Sequence, residues 1–456
     1  MTAEPLTAVL DTETSPPSQE QPNPLLELHL LKRDESSDGL KRELSLTDLT
    51  LMGLGNVVGA GVFVILGKSI LFGGNHTISA FMVVAAVSII IGFVYLEIYS
   101  RHKSNIMEYS AIKETMGDKV GEISLYVIYL FAVLSAVTIV ISMSKYISKS
   151  QYFSYHLGEN TIFEMIFGAV IISLMCAINY LGIHFSKLVA ISITGLMLLV
   201  LGGAILLGTP HICIDEVVKM PELPWDSIVL SGILSLFLFN GYDFIVKVSD
   251  ESIDPNDNKS ALIYTLGMTT FIYLCIIVTG ICVLKFKTAS TTYNLISKIY
   301  EKVAGKNAGM ITYAAGLLIM FNTAFLSLLS ATRFIYSTGK ENHISNADFW
   351  KKLSDYNTPT NAIIVTFVIA LIFSLVNSEV VLTIFTNFSA LFILILLCIA
   401  LLVIRWNERD KPAEQAEHNY IMGNVGNIPI PVIIALILII YAKYKIIKHR
   451  FWLDTI

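Results

Sequence analysis

Two short runs hold the residues best suited to bind a small charged molecule inside an otherwise apolar chain. The first contains Gly53, Gly55, Gly59 and Gly61 and is tightest at Gly59-Ala60-Gly61-Val62-Phe63. The second reads Phe237-Leu238-Phe239-Asn240-Gly241-Tyr242-Asp243. A glycine inside a helix costs about 1 kcal/mol relative to alanine, so a cluster of four serves a purpose. One purpose is close helix-helix contact through small residues, which the glycines taken alone favour. The other is an unwound stretch, whose freed N–H groups and adjacent half-helix N-terminus bind an anion such as a carboxylate. In the second run Asp243 is an ionisable group at membrane depth, where charge is expensive and normally faces a cavity or a partner. Asn240-Gly241 is a place for helix geometry to fail, and carbonyls freed there would accept hydrogen bonds from an ammonium group.

The elements that position these runs follow from hydropathy. Of the 456 residues, 54% are hydrophobic and only 15% charged, a balance suited to a lipid-facing surface. A helix crosses a bilayer with about 20 apolar residues, and eleven such spans are expected: residues 49–72, 78–99, 123–147, 162–181, 188–207, 228–248, 261–284, 308–335, 362–376, 380–404 and 428–444. The glycine run lies in the first span and the Asn-Gly-Asp run in the sixth. That five-helix separation is expected if spans one to five and six to ten are inverted repeats, each opening with a discontinuous helix. The pair is a stronger signal than either run alone. The chain therefore divides into a polar, disordered cytoplasmic tail at 1–44, a transmembrane domain at 45–447 and a short tail at 448–456.

Lysine and arginine set the orientation. Lys32, Arg33, Lys41 and Arg42 precede the first span, and Arg101, Lys103, Lys113 and Lys119 follow the second. Arg333, Lys340, Lys351 and Lys352 follow the eighth, and Arg405, Arg409 and Lys411 the tenth. All fall on one side if the N-terminus is cytoplasmic, which puts the sequon Asn75-His76-Thr77 outside. Lys443, Lys445, Lys448 and Arg450 oppose this reading, so either a span is miscounted or the last segment lies along the interface. The net charge of -5 and the lack of dense basic runs set nucleic acid aside. Four of the five cysteines sit in apolar runs as packing residues, and no Cys/His spacing suggests a metal. No nucleophile-base constellation marks an enzyme, and no ring-forming filter motif marks a channel.

Further motifs appear in order: Leu46-Thr47-Asp48-Leu49, Tyr95-Leu96-Glu97 with Ser100-Arg101, Glu108-Tyr109, Asn179-Tyr180-Leu181-Gly182, Asp250-Glu251 with Asp254-Pro255, and Ala331-Thr332-Arg333-Phe334-Ile335-Tyr336. With the glycine and Asn-Gly-Asp runs, this series resembles the amino acid-polyamine-organocation superfamily over about residues 44–410. The resemblance implies an all-α, five-plus-five inverted-repeat (LeuT-like) fold with discontinuous helices 1 and 6, and alternating access. It implies a substrate carboxylate at the N–H groups of Val58, Gly59, Ala60 and Gly61. It places the amino group at carbonyls of Phe237, Leu238, Phe239, Asn240 and Gly241, with Phe237 or Phe239 either closing over the substrate or simply packing. An amino acid permease is the first expectation. A polyamine or organic cation transporter, or a transport-inactive scaffold or sensor, is the alternative.

No cofactor is expected, and the coupling ion, proton or sodium, stays open. Proton-using members of the superfamily carry a lysine in helix 5, where Met197 or a neighbour stands here. Lys145 and Lys247 are the nearest substitutes, and both lie near enough to a helix end to snorkel. Sodium would need oxygen ligands such as Asn322, Thr323, Ser327 or Ser330, although serine and threonine in membrane spans commonly bond their own helix, the favoured reading. Asp243 is expected to pair with a lysine or cap the second half of helix 6. Glu97, Glu108 and the acidic residues after helix 6 read either as solvated loop charge or as an inner gate paired with Arg101, Lys103 or Arg333. Some eukaryotic relatives join a glycoprotein through a cysteine after helix 3. Residues 149–160 contain none, so no disulfide-linked heavy chain is expected beside the amino acid and the lipid bilayer.

Overall fold

The computed structural model describes residues 39–148, 161–212, 217–218, 222–289, 294–376 and 378–408. Its helices all belong to one unit, Leu40–Ile456. The eleventh expected span, both terminal tails apart from residues 39–44, and the loop at 149–160 lie outside the described residues.

The first half comprises α1 (Leu46–Val64), α2 (Leu66–Gly73), α3 (His76–Arg101), α4 (Met107–Met116), α5 (Asp118–Ser148), α6 (Thr161–Tyr180) and α7 (Ile183–Gly208). The second comprises α8 (Trp225–Phe237), α9 (Phe244–Lys247), α10 (Asp257–Ala289), α11 (Leu295–Ala304), α12 (Lys306–Lys340), the short α13 (Ala347–Trp350), α14 (Thr360–Ser374) and α15 (Glu379–Glu408). Among the described residues eight helices are long and apolar enough to cross a bilayer, and α8 and α14 are shorter apolar helices. These elements coincide with the first ten expected spans. Helix geometry satisfies backbone groups within each span, as a hydrocarbon environment requires, except where a span is interrupted.

The repeat shows in the connections. After its second span each half inserts a ten-residue helix, α4 or α11. Each of these ends on a glycine in nearly the same conformation, Gly117 at φ 85°, ψ 173° and Gly305 at φ 91°, ψ 171°. Each glycine then launches a very long helix, α5 of 31 residues or α12 of 35. Such backbone angles are essentially restricted to glycine.

Burial sorts centre from periphery. In the most apolar windows of α1 and α12, 78% and 83% of residues are buried, against 28% in α6 and 33% in α7. Helix α1 packs against α7, α10 and α12, while α8 packs against α2 and α3. Both chemistry-bearing runs thus lie inside. Leu199, Leu206, Phe271, Ile311 and Phe388 are exposed on the outside, a surface suited to lipid.

Helix α1 starts where Ser45 and Asp48 form a reciprocal capping box. Lys187 of α7 reinforces it, donating to Asp48 Oδ2 at 3.1 Å and to the Glu43 carbonyl at 2.8 Å. The packed chain reaches back beyond the expected boundary at 45: Leu40 and Leu44 are buried, and the N–H groups of Glu43 and Leu44 donate to the Glu251 carbonyl at 2.9 and 3.0 Å. At the opposite end of α1 and α2, Asn75 of the sequon is itself buried in the turn before α3.

A Cβ at Gly117 or Gly305 would meet no atom within 4 Å, so replacing either probes backbone conformation alone. Gly117→Ala and Gly305→Ala are each expected to cost about 1–3 kcal/mol, read as a lowered thermal unfolding midpoint of the protein in detergent. An unchanged midpoint in both would show that these elbows are not conformationally demanding.

Candidate functional site

Helix 6 is broken where the sequence places its Asn-Gly pair. After α8, the N–H groups of Leu238, Phe239 and Asn240 reach back only three residues, to the carbonyls of Ser235, Leu236 and Phe237 at 3.1 to 3.2 Å. Gly241 then adopts φ 112°, and winding resumes from the carbonyls of Gly241, Tyr242 and Asp243, which accept from Phe244, Ile245 and Val246. Among the described residues the carbonyls of Leu238, Phe239 and Asn240 accept no hydrogen bond. A buried carbonyl left this way costs on the order of 1–3 kcal/mol.

Helix 1 departs from the expectation. Val58, Gly59, Ala60 and Gly61 lie within the continuous α1, and the interruption is the single residue Ile65, one turn later, whose N–H donates to the Gly61 carbonyl at 2.9 Å. The glycines serve close contact instead. A Cβ at Gly59 would land on the Thr323 hydroxyl, one at Gly55 on Thr194, and one at Gly61 within 2.7 Å of the Tyr273 hydroxyl and 3.2 Å of Leu238 Cδ2. Across these contacts, side chains address the α1 backbone. The Ala60 N–H donates to Thr323 Oγ1 at 3.0 Å, and that hydroxyl donates to the Gly55 carbonyl at 3.1 Å. Tyr273 points its hydroxyl at the carbonyls of Val57 and Val58, 3.2 Å from each. Donors from α10 and α12 thus steady a glycine-weakened helix, so it need not unwind here.

Asn56, which no motif in the sequence singled out, ties the two runs together. Its Nδ2 donates to the Gly241 carbonyl at 2.8 Å, and its Oδ1 accepts from Ser327 of α12 at 3.2 Å. A Cβ at Gly241 would lie 2.9 Å from Asn56 Nδ2, so the glycine also permits this approach. A lone amide within the apolar glycine run was the available signal for Asn56; Tyr273 had none beyond its ring. Ser327 bonds across to helix 1, contrary to the own-helix expectation; Thr323 reaches both helix 1 and the Ile319 carbonyl of its own helix, at 3.4 Å, and Ser330 donates to its own helix at the Ser327 carbonyl. Asn322 instead reaches Thr194 of α7 at 3.1 Å. Met197 is buried in α7.

The two candidate gate aromatics separate. Phe239 is buried and stacked on Phe81, with ring centroids 5.5 Å apart, and behaves as packing. Phe237, with Asn240, lines a small cavity against Asn387, Ala390, Leu391 and Leu394 of α15. Its volume of about 10 Å³ is at the lower limit for a single water molecule, so no substrate-sized space lies open beside Phe237.

The end of the bundle where α1 begins is locked by polar contacts, and the sequence motifs converge on it. Arg333 is fully buried; its Nε lies 3.2 Å from both oxygens of Glu251, and its Nη1 donates to Asn179 Oδ1. Asn105 joins the lock: its Oδ1 accepts from the Asp250 N–H at 2.9 Å, and its Nδ2 donates to Ser337 Oγ at 3.1 Å. Burial pushes the Glu251 carboxyl up, with the Arg333 charge opposing, and burial likewise pushes up Asp250. Glu97 is bound by Arg405 of α15, a partner the sequence did not indicate, while Arg101 pairs with Glu114 at 2.9 Å and Lys103 reaches Asn256 at 3.3 Å. Lys145, near the opposite end, lies 4.0 Å from Glu379, away from the break. Lys247 does not snorkel. It is buried and pairs with Asp243 at 2.5 Å and Glu108 at 3.5 Å, so Glu108 is not a solvated loop charge either.

The chain is a multi-pass helical membrane protein whose first and sixth spans are interrupted and whose α1 end is held together by buried polar contacts. The sequence profile described as "Amino acid permease" matches residues 44–447, and the chain belongs to that family. It is a permease for amino acids or related substrates. It is 24% identical over 404 residues to the branched-chain amino acid permease BcaP of Bacillus subtilis, covering 84% of this chain and 85% of that protein. It is 20% identical over 388 residues to the human large neutral amino acids transporter small subunit 2, covering 82% of this chain and 71% of that one. Among solved structures it resembles Mhp1, a nucleobase-cation-symport-1 family transporter in a closed conformation with bromovinylhydantoin bound. That match has a TM-score of 0.52 at 15% identity and covers 91% of this chain and 96% of that one; at this identity it establishes the fold, the five-plus-five inverted repeat.

Arg333→Gln is expected to lower stability by about 3–5 kcal/mol by leaving Glu251 buried and unpaired. The double variant Arg333→Gln/Glu251→Gln should recover most of that loss, as read in thermal unfolding of detergent-solubilised protein. Additive losses would show that the two side chains are not energetically coupled.

Proposed function

We propose that this chain carries amino acids across a membrane by alternating access, with its N-terminus on the cytoplasmic side. The observation that supports this most is the set of three carbonyls at the helix 6 break, Leu238, Phe239 and Asn240, that accept no hydrogen bond among the described residues, with Leu238 packed against Gly61. An α-ammonium group supplies three donors and a positive charge, which matches three carbonyl oxygens. The carboxylate meets N–H groups of the Gly59-Ala60-Gly61 stretch only once α1 and the helix 6 break move apart and this stretch gives up its helical bonds and its contact with Thr323, because the closed state leaves no room between Gly61 and Leu238. Phe237 closes over the side chain from the α15 cavity. Opening toward the cytoplasm requires the Arg333–Glu251 and Asn105–Asp250 contacts to separate. The relatives named for branched-chain and large neutral amino acids make leucine the first probe.

Purified protein in vesicles is expected to exchange labelled leucine or another labelled amino acid from a panel. Gly61→Leu should insert normally yet lose uptake at least tenfold, because the added side chain occupies the space against Tyr273 and Leu238. Normal uptake by that variant would sink the site assignment. No uptake and no ligand-dependent thermal shift across the panel would favour the alternative, a transport-inactive sensor that kept the fold.

A further inference from the structure

Three ionisable side chains meet out of water where the helix 6 break touches α4. Lys247 Nζ lies 2.5 Å from Asp243 Oδ2 and 3.5 Å from Glu108 Oε2. The side chains of Lys247 and Glu108 are only 1% and 2% exposed. Glu108 Oε1 accepts a hydrogen bond from the Tyr95 hydroxyl at 2.6 Å, whereas its Oε2 is buried without a hydrogen-bond partner. Tyr95 faces the carboxyl from α3, and Tyr242, Asp243 and Lys247 face it from the broken helix. From α5 the Phe131 ring lies 5.4 Å from Lys247 Nζ, and from α15 Cys398 interacts with Tyr242.

Charge parity makes this cluster unusual. The buried pairs Arg333–Glu251 and Arg405–Glu97 balance one cation against one anion, but here two carboxylates share one ammonium. With all three ionised the cluster carries one uncompensated negative charge, which costs several kcal/mol away from water. Two carboxylates at one site relieve that cost by keeping a proton on one of them. Asp243 holds the closer contact to Lys247, which leaves Glu108 as the odd carboxylate. Burial pushes the Glu108 carboxyl up and the Asp243 charge acts in the same sense, with Lys247 pulling against them.

We infer that Glu108 is a proton-binding site, occupied while the helix 6 break is docked on α4 and emptied when the two part. Resting on the transport reading above, this inference names a coupling ion for it. The Glu108 carboxylate takes one proton from water on one side and becomes a neutral acid, bringing the cluster from one net negative charge to zero. When the break moves, water reaches Glu108 and the same proton leaves to the other side. Asp243 and Lys247 belong to the segment that would bind substrate, so substrate and proton act on one moving part.

Infrared spectroscopy of the purified full chain in lipid nanodiscs tests the site without needing a substrate. The wild type at neutral pH is expected to show the carbonyl stretch of a protonated carboxylic acid. The band should be lost in Glu108→Gln and shifted in Tyr95→Phe, which keeps the acid but removes its hydrogen bond. No such band in the wild type, or one unchanged in both variants, overturns the proposal. In vesicles, entry of labelled leucine should be stimulated several-fold by external acid in the wild type and lose that stimulation in Glu108→Gln. Entry equally insensitive to acid in both overturns the release step. If no amino acid from the panel enters at all, the transport reading fails, while the infrared band still decides whether Glu108 holds a proton.

Discussion

Within the hydrocarbon layer a backbone carbonyl has no water to fall back on, so each one must find a donor in the protein or in a ligand. Ten spans meet that demand by helix geometry alone along nearly all their length. Among the described residues an exception is the stretch between α8 and α9, where Gly241 interrupts the winding and three successive carbonyls are left without donors. Much of the central architecture supports this exposed stretch. Asn56 holds the Gly241 carbonyl, Gly61 lets α1 approach Leu238, and Phe81 backs Phe239.

The same constraint explains why α1 stays wound. Glycine lowers the cost of bringing helices together as much as it lowers the cost of unwinding, and which outcome prevails depends on what arrives at the glycine. Thr323 and Tyr273 reach the α1 backbone through the space that missing side chains leave. They supply hydrogen bonds to a stretch that would otherwise fray, so the interruption shrinks to Ile65. A site that is closed and held by hydroxyls rather than by covalent or ionic links can open at modest cost.

Polar contacts at the α1 end of the bundle differ in kind. Arg333, Glu251, Asn179 and Asn105 come from four separate segments, and their burial makes each contact depend on all the others. Removing one partner leaves a charge stranded, whereas a concerted movement that hydrates all of them together is far cheaper.

Composition, span spacing and the Asn-Gly-Asp run were enough to read a membrane bundle, its first ten spans and the break in helix 6, because hydropathy and helix failure are local properties written into neighbouring residues. The repeat was legible from the five-span separation, and the matching elbows at Gly117 and Gly305 became visible only with their backbone angles. Where helix 1 yields, which aromatic packs and which cation meets which carboxylate were decided by tertiary structure. Thr323 meets Ala60 across 263 positions and Arg405 meets Glu97 across 308, and no local pattern encodes partners so distant. Lys247 and Glu108 make the point most plainly: each lies near a helix end, where a charge usually escapes to water, and only the packing of α3, α4, α5 and the broken helix closes that escape.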